Sequence, residues 1–167
     1  KPEQARAQFE AALANEPNNP GILFSLAQLA YQTRQPALAT DYLKRYIALP
    51  ASVRRDNAPA YLFLGQIAEE AERYEQAAGW YARVRSGEQF VPAVIRRAVS
   101  LGKLGRIDEA RKLLRDTAVS RQADRVQLTL AEAQVLRNAG RNDDAFETLG
   151  EALKSQPDNQ DLLYDQA

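Results

Sequence analysis

Apolar residues recur along this chain at three- and four-residue spacings, in blocks rich in Ala, Leu, Gln, Glu and Arg. That spacing lines one side of a helix, and the two-residue alternation of a half-buried strand is missing. The blocks predict helices over 2–15, 20–33, 36–48, 58–71, 74–86, 91–103, 107–118, 124–138, 142–155 and 159–167. Pro, Gly and Asn fall mainly between them. Asn18-Asn19-Pro20 offers a polar cap followed by a proline near the first helical position. Asn57-Ala58-Pro59 repeats that signal, and Asp158-Asn159 after Pro157 opens another helix. Gly105 and Gly140 follow apolar blocks, where a left-handed residue ends a helix. Turns this short make neighbouring helices antiparallel, so the chain reads as stacked helix hairpins.

The hairpins repeat. Ala5, Ala39, Ala77, Ala110 and Ala145 stand at intervals of 34, 38, 33 and 35 residues. Four positions after each comes a bulky side chain: Phe9, Leu43, Tyr81, Leu114 and Leu149. Twelve positions before the last four comes another small residue: Ala27, Gly65, Ala98 and Ala133. A period in the mid-thirties marks an array of one unit. Two helices pack about 8–10 Å apart, and closer where the contact residues are small. The alanines and Gly65 let each hairpin close, and the bulky partners fill the space to the next. Burying one such side chain stabilises by about 1.5–3 kcal/mol. Ordering a residue costs roughly 1–2 kcal/mol in backbone entropy. A lone hairpin therefore does not fold, and stability comes from stacking.

One stretch reads Tyr61-x-x-Leu64-Gly65-x-x-Ala68, then Ala77-x-x-x-Tyr81-x-x-Val84. The first hairpin reads Leu23-x-x-Leu26-Ala27-x-x-Ala30, then Ala39-x-x-x-Leu43, and the last has Leu136, Ala145, Leu149, Ala152 and Pro157. This pattern resembles the tetratricopeptide repeat. The resemblance implies an all-α fold, a right-handed α-solenoid of antiparallel hairpins in one domain over 1–167. It divides into a half repeat at 1–17, repeats at about 20–50, 58–87, 91–121 and 124–157, and the start of another at 158–167. Because the chain opens on Lys1 rather than Met, it is expected to be a piece of a larger bacterial-type repeat protein. Its compartment stays open between cytoplasm and a periplasmic or membrane-associated site.

The resemblance also implies a non-catalytic scaffold that holds a peptide or protein segment in a concave groove lined by the first helix of each hairpin. Helical spacing from the small residue picks the inward face. Three before it are Phe24, Leu62, Ile95 and Leu130; one after are Gln28, Gln66, Val99 and Gln134; four after are Tyr31, Glu69, Gly102 and Arg137. The groove candidates are Phe24, Gln28, Tyr31, Gln66, Glu69, Arg96, Val99, Gln134 and Arg137. Leu62, Ile95 and Leu130 fit the hairpin core equally well. The Lys and Asn residues with which relatives clamp a peptide's terminal carboxylate are not found. An alternative is a structural role, with Phe9, Leu13, Leu162, Leu163 and Tyr164 at the two ends stacking on another copy or on the parent protein.

Composition narrows the choices. Lys plus Arg is 22 and Asp plus Glu is 22, so nothing in the total charge draws nucleic acid or an anionic membrane. No apolar run approaches the roughly 20 residues that span a bilayer. His, Cys and Met are absent, which removes the common nucleophile–base pairs and the Cys/His zinc sites. The expectation is no enzyme, no cofactor, no metal, and a protein or peptide partner. Charge is nonetheless blocked: +3 over 1–55, −4 over 56–82, +6 over 83–125 and −5 over 126–167. Either these are solvated faces, or Arg83, Arg85, Arg96, Arg97 and Lys103 form a basic patch for an acidic partner.

Two irregularities remain. The residue before the small one is Leu26 and Leu64, then Arg97 and Glu132. Both charged positions lie on successive first helices, so Arg97 and Glu132 are expected to pair between repeats. The longest interval carries four extra residues, placed in the 50–57 segment. That segment is either a tolerated surface loop or a partner contact through Val53, Arg54 and Arg55.

Overall fold

The fold, seen in a computed structural model that describes residues 2–50, 52–53 and 56–166, is helical along almost its whole described length. The helices are α1 (Pro2–Asn15), α2 (Pro20–Gln32), α3 (Pro36–Ala48), α4 (Ala58–Glu70), α5 (Tyr74–Tyr81), α6 (Phe90–Lys103), α7 (Ile107–Asp116), α8 (Gln122–Asn138), α9 (Asn142–Ser155) and α10 (Gln160–Gln166). The pairs α2–α3, α4–α5, α6–α7 and α8–α9 form hairpins, and each first helix also packs on the second helix before it. The result is an α-solenoid with its core strung along it in four clusters.

The small residues sit where the hairpins close. Ala27, Ala39, Ala77, Ala98, Ala110 and Ala133 are fully buried, and Ala145 nearly so. Their bulky partners Leu43, Tyr81, Leu114 and Leu149 are buried beside them. Gly65 is smaller still for a local reason: a methyl group there would fall on the Tyr81 ring, with Cδ1 and Cζ at 2.7 Å.

Each hairpin turns the same way. The residue five before each alanine is left-handed: Arg34 (φ 59°), Glu72 (57°), Gly105 (76°) and Gly140 (75°). The next amide then reaches back five residues, from Gln35 to Ala30 O (2.8 Å), Arg73 to Ala68 O (2.8 Å), Arg106 to Leu101 O (3.0 Å) and Arg141 to Leu136 O (2.9 Å). This closes the helix end in a Schellman bond. Two of the four turns thus hold a side chain where glycine is favoured.

Caps follow the polar signals in two places and not in a third. Asn19 Oδ1 accepts from Ile22 N (3.1 Å), and Asn159 Oδ1 accepts from Leu162 N (3.1 Å). At α4 the role passes to Asp56, whose Oδ1 accepts from Ala58 N (2.9 Å), while Asn57 donates its amide to the Tyr61 hydroxyl (3.2 Å). Helix α5 stops at Tyr81 instead of continuing to 86. The amides of Arg83 and Val84 fall back to Trp80 O and Tyr81 O (both 3.1 Å), which tightens the last turn. That turn drops Val84 into the core and lays the Arg83 guanidinium on the Trp80 ring, 4.5 Å from its centroid.

Glu132 is buried, but its partner is not Arg97. It accepts from Arg115 Nε (2.7 Å) and Arg111 Nε (3.0 Å), one turn apart on α7. Position 132 faces the second helix packed before it, and that helix, not the first helix of the same hairpin, supplies the cations. In the extra segment, Leu49 is buried, Val53 is exposed, and the Tyr46 hydroxyl donates to Asp56 O (2.9 Å). Arg54 and Arg55 lie outside the described residues. At the ends, Leu13 and Leu162 are buried by their neighbours, contrary to the expectation of exposed faces there. Phe9, Leu163 and Tyr164 are open to solvent. Among the described residues no helix is long and apolar enough to cross a membrane.

Candidate functional site

The first helices form a groove across α2, α4 and α6. It encloses about 510 Å³ and is lined by Phe24, Gln28, Tyr31 and Gln32 from α2, by Pro59, Leu62, Phe63 and Gln66 from α4, and by Gln89, Pro92 and Arg96 at α6. The floor is aromatic. The Tyr31 and Phe63 rings meet edge to face at 5.1 Å between centroids, and Phe24 lies 6.2 Å from Phe63. Helices α2 and α4 touch through these rings. Helices α6 and α8 instead pack side by side, and at Gly102 an added Cβ would lie 3.3 Å from Val135. Those two helices therefore approach each other more closely than α2 and α4 do.

Not every polar group on this face is available. Gln66 donates its amide to the Tyr31 hydroxyl and to Glu70 Oε1 (3.0 Å each), and the Tyr31 hydroxyl itself donates to Glu70. Those bonds, from Tyr31 first and then Gln66, hold the Glu70 carboxyl below its ordinary range. The same bond to Glu70 is the main reason the Tyr31 phenol is pushed up. Glu69 accepts from the Tyr81 hydroxyl (2.6 Å) and from Arg96 (3.1 Å). Burial, followed by that bond to Glu69, drives the Tyr81 phenol far above the usual tyrosine range. Tyr31 and Gln66 are thus engaged with Glu70, and Glu69 and Arg96 with each other beside Tyr81. The amides of Gln28, Gln32 and Gln89 make no hydrogen bond among the described residues and are exposed.

The remaining candidates separate. Gln134 lines a second hollow of about 520 Å³ with Ile95, Leu130 and Tyr164, and its amide bonds Asn138 Oδ1 (2.8 Å). Arg137 is tied to Asp165 of α10, including a bond to its carbonyl (3.0 Å). Val99 is not a groove residue: it is half-buried against the core of α6–α8. The basic patch does not assemble as one surface, because Arg96 lines the inner groove while Arg83 stacks on Trp80 on the outer side. Gln32, Phe63, Pro59, Gln89 and Pro92 escaped the sequence reading. Stepping three or four residues from Gln66 reaches Phe63, Leu62 and Pro59, so the helical period could have found them.

A family model described as tetratricopeptide repeat matches residues 1–53 and 95–161, well over half the chain. Over 106 residues the chain is 41% identical to TPR repeat-containing protein PA4667 of Pseudomonas aeruginosa. That match takes in 63% of this chain and 18% of the relative, so the chain spans under a fifth of that protein. Among solved structures, MamA superposes with a TM-score of 0.69 at 19% identity, over 93% of this chain and 89% of its own. YrrB, described as a TPR protein with an unusual peptide-binding site, superposes with a TM-score of 0.64 at 18% identity, over 98% and 82%. At these identities the two structures bear on the fold alone.

Proposed function

This chain belongs to the tetratricopeptide repeat family, whose arrays are protein-interaction scaffolds, and from that premise we propose that its concave groove holds an extended peptide. The observation that carries this reading is the pairing of an aromatic floor with unengaged amides. Phe24, Phe63 and Leu62 offer apolar surface to side chains. Gln28, Gln32 and Gln89 offer amides to a peptide backbone, each with one acceptor and two donors. Tyr31, Gln66 and Glu70 serve as a hydrogen-bonded wall that keeps the floor in place.

The test is selection of decapeptides from a random phage-displayed library, followed by fluorescence anisotropy with the selected peptide. Gln28→Ala/Gln89→Ala is expected to weaken binding about tenfold, since each lost hydrogen bond is worth about 0.5–1.5 kcal/mol. Equal affinity for the wild type and that double variant rejects the groove.

A further inference from the structure

On one edge of the array, the arginine before each of α7 and α9 holds two carboxylates. Arg106 bonds Glu109 of its own helix (2.7 Å) and Glu75 of the second helix before it (3.0 Å). Arg141 repeats this with Asp144 (2.5 Å) and Asp108 (2.8 Å). Arg73 holds the same place before α5, yet both acceptors are missing. Gln76 stands where Glu109 and Asp144 stand, and Ala37 where Glu75 and Asp108 stand. Among the described residues Arg73 has no carboxylate partner. The chain carries the donor of a tie whose acceptors it lacks.

Arg73 opens on a cleft of about 710 Å³ on the outer side, between α3 and α5 with α4 as its floor. Leu64 and Ile67 form that floor, and Trp80 with the stacked Arg83 forms one wall. Lys44 of α3 also lines it, likewise without a carboxylate partner among the described residues. Asp41 is the acidic group in the lining, so three cations face one anion there. Above Gly79 the space is open, with nothing within 4 Å of an added Cβ. Arg73 and Arg83 flank α5, roughly 12–15 Å apart at about 1.5 Å per helical residue. An extended chain covers that distance in about four residues.

We propose that this outer cleft docks an acidic, extended protein segment. Carboxylates about four residues apart take Arg73 at one end and Arg83 with Lys44 at the other, and an apolar side chain between them rests on Leu64 and Ile67. Charge complementarity selects this occupant. Within the same molecule, Arg106 and Arg141 show what an arginine at this position binds. The cleft lies on the opposite side of α4 from the concave groove and does not depend on it.

The probe is a fluorescein-labelled decapeptide with two Asp-Glu pairs separated by three leucines and with glycines at its ends, which sets the facing acids four residues apart, titrated by anisotropy at 50 mM and 200 mM salt. The wild type is expected to bind it, more weakly at the higher salt. Arg73→Gln is expected to weaken binding at least fivefold, and Arg106→Gln, whose guanidinium is already neutralised, to leave it within twofold. Ala37→Glu supplies the missing acceptor inside the chain. It is expected to weaken binding at least tenfold while raising the melting temperature, which shows that the variant is folded. Absence of binding by the wild type overturns the proposal, as does equal binding by Ala37→Glu. Binding of a single-stranded oligo-dT decamer as tight as that of the peptide overturns it too, since the cleft would then read charge alone. Loss of the probe in Gln28→Ala/Gln89→Ala would assign it to the concave groove and also overturn the proposal, whereas retention there supports it.

Discussion

Gly65→Ala tests the packing logic of the hairpins most directly. In three hairpins an alanine faces a leucine: Ala27 with Leu43, Ala98 with Leu114, and Ala133 with Leu149. In the fourth a glycine faces Tyr81. The added methyl would meet ring atoms at 2.7 Å, well inside ordinary van der Waals contact. The ring has no room to retreat, because it is 1% exposed and its hydroxyl is held by Glu69 at 2.6 Å. Overpacking of this kind costs about 1–3 kcal/mol. Alanine recovers about 1 kcal/mol of helix propensity over glycine. The net expectation is a loss of up to about 2 kcal/mol. Tyr81→Leu removes the obstacle and recreates the pairing of the other hairpins. In that background Gly65→Ala is expected to stabilise by up to about 1 kcal/mol, so the two substitutions couple by the overpacking cost, about 1–3 kcal/mol. The assay is urea unfolding followed by the helical circular-dichroism signal at 222 nm for the wild type, both single variants and the double. The same cost for Gly65→Ala in both backgrounds would refute the argument.

Two further outcomes follow from local geometry. Glu72→Gly is expected to stabilise by up to about 1 kcal/mol, because a side chain at φ 57° carries a steric cost that glycine lacks; a lower urea midpoint would contradict this. Tyr81 is expected to stay protonated beyond the ordinary tyrosine range, through burial and then its bond to Glu69. A raised folded-state value means that this contribution is fully present below about pH 10 and lost as pH climbs toward the folded value. Ultraviolet titration should therefore show one tyrosine ionising only as helix is lost, and Tyr81→Phe should flatten the alkaline decline in stability; an unchanged decline would remove the assignment.

The hairpin framework was legible because it rests on short-range rules. A period of 3.6 within helices and a beat of small residues between them survive any detail of packing, and the helices fall within a few residues of the expected bounds. The end of α5 was not legible. Val84 continues the apolar period of that helix, and only the core between α4 and α6 shows that it turns inward in a tighter coil. The concave face was found in part. Phe24, Gln28, Tyr31 and Gln66 line one hollow at the spacing of their helices, but which of their polar groups are already hydrogen-bonded is not a property of spacing.

The sequence alone determined the architecture. Ala39, Ala77, Ala110 and Ala145, with the small residues twelve places before them, demand close helix pairs, and pairs that cannot fold singly must stack. Tertiary structure decided the pairings and the openings. Glu132 meets Arg111 and Arg115 because α7 lies against α8. Arg73 faces an open cleft because position 37 on a different helix is an alanine. Helical spacing orders residues on one helix, whereas contacts between helices depend on which faces the stack brings together.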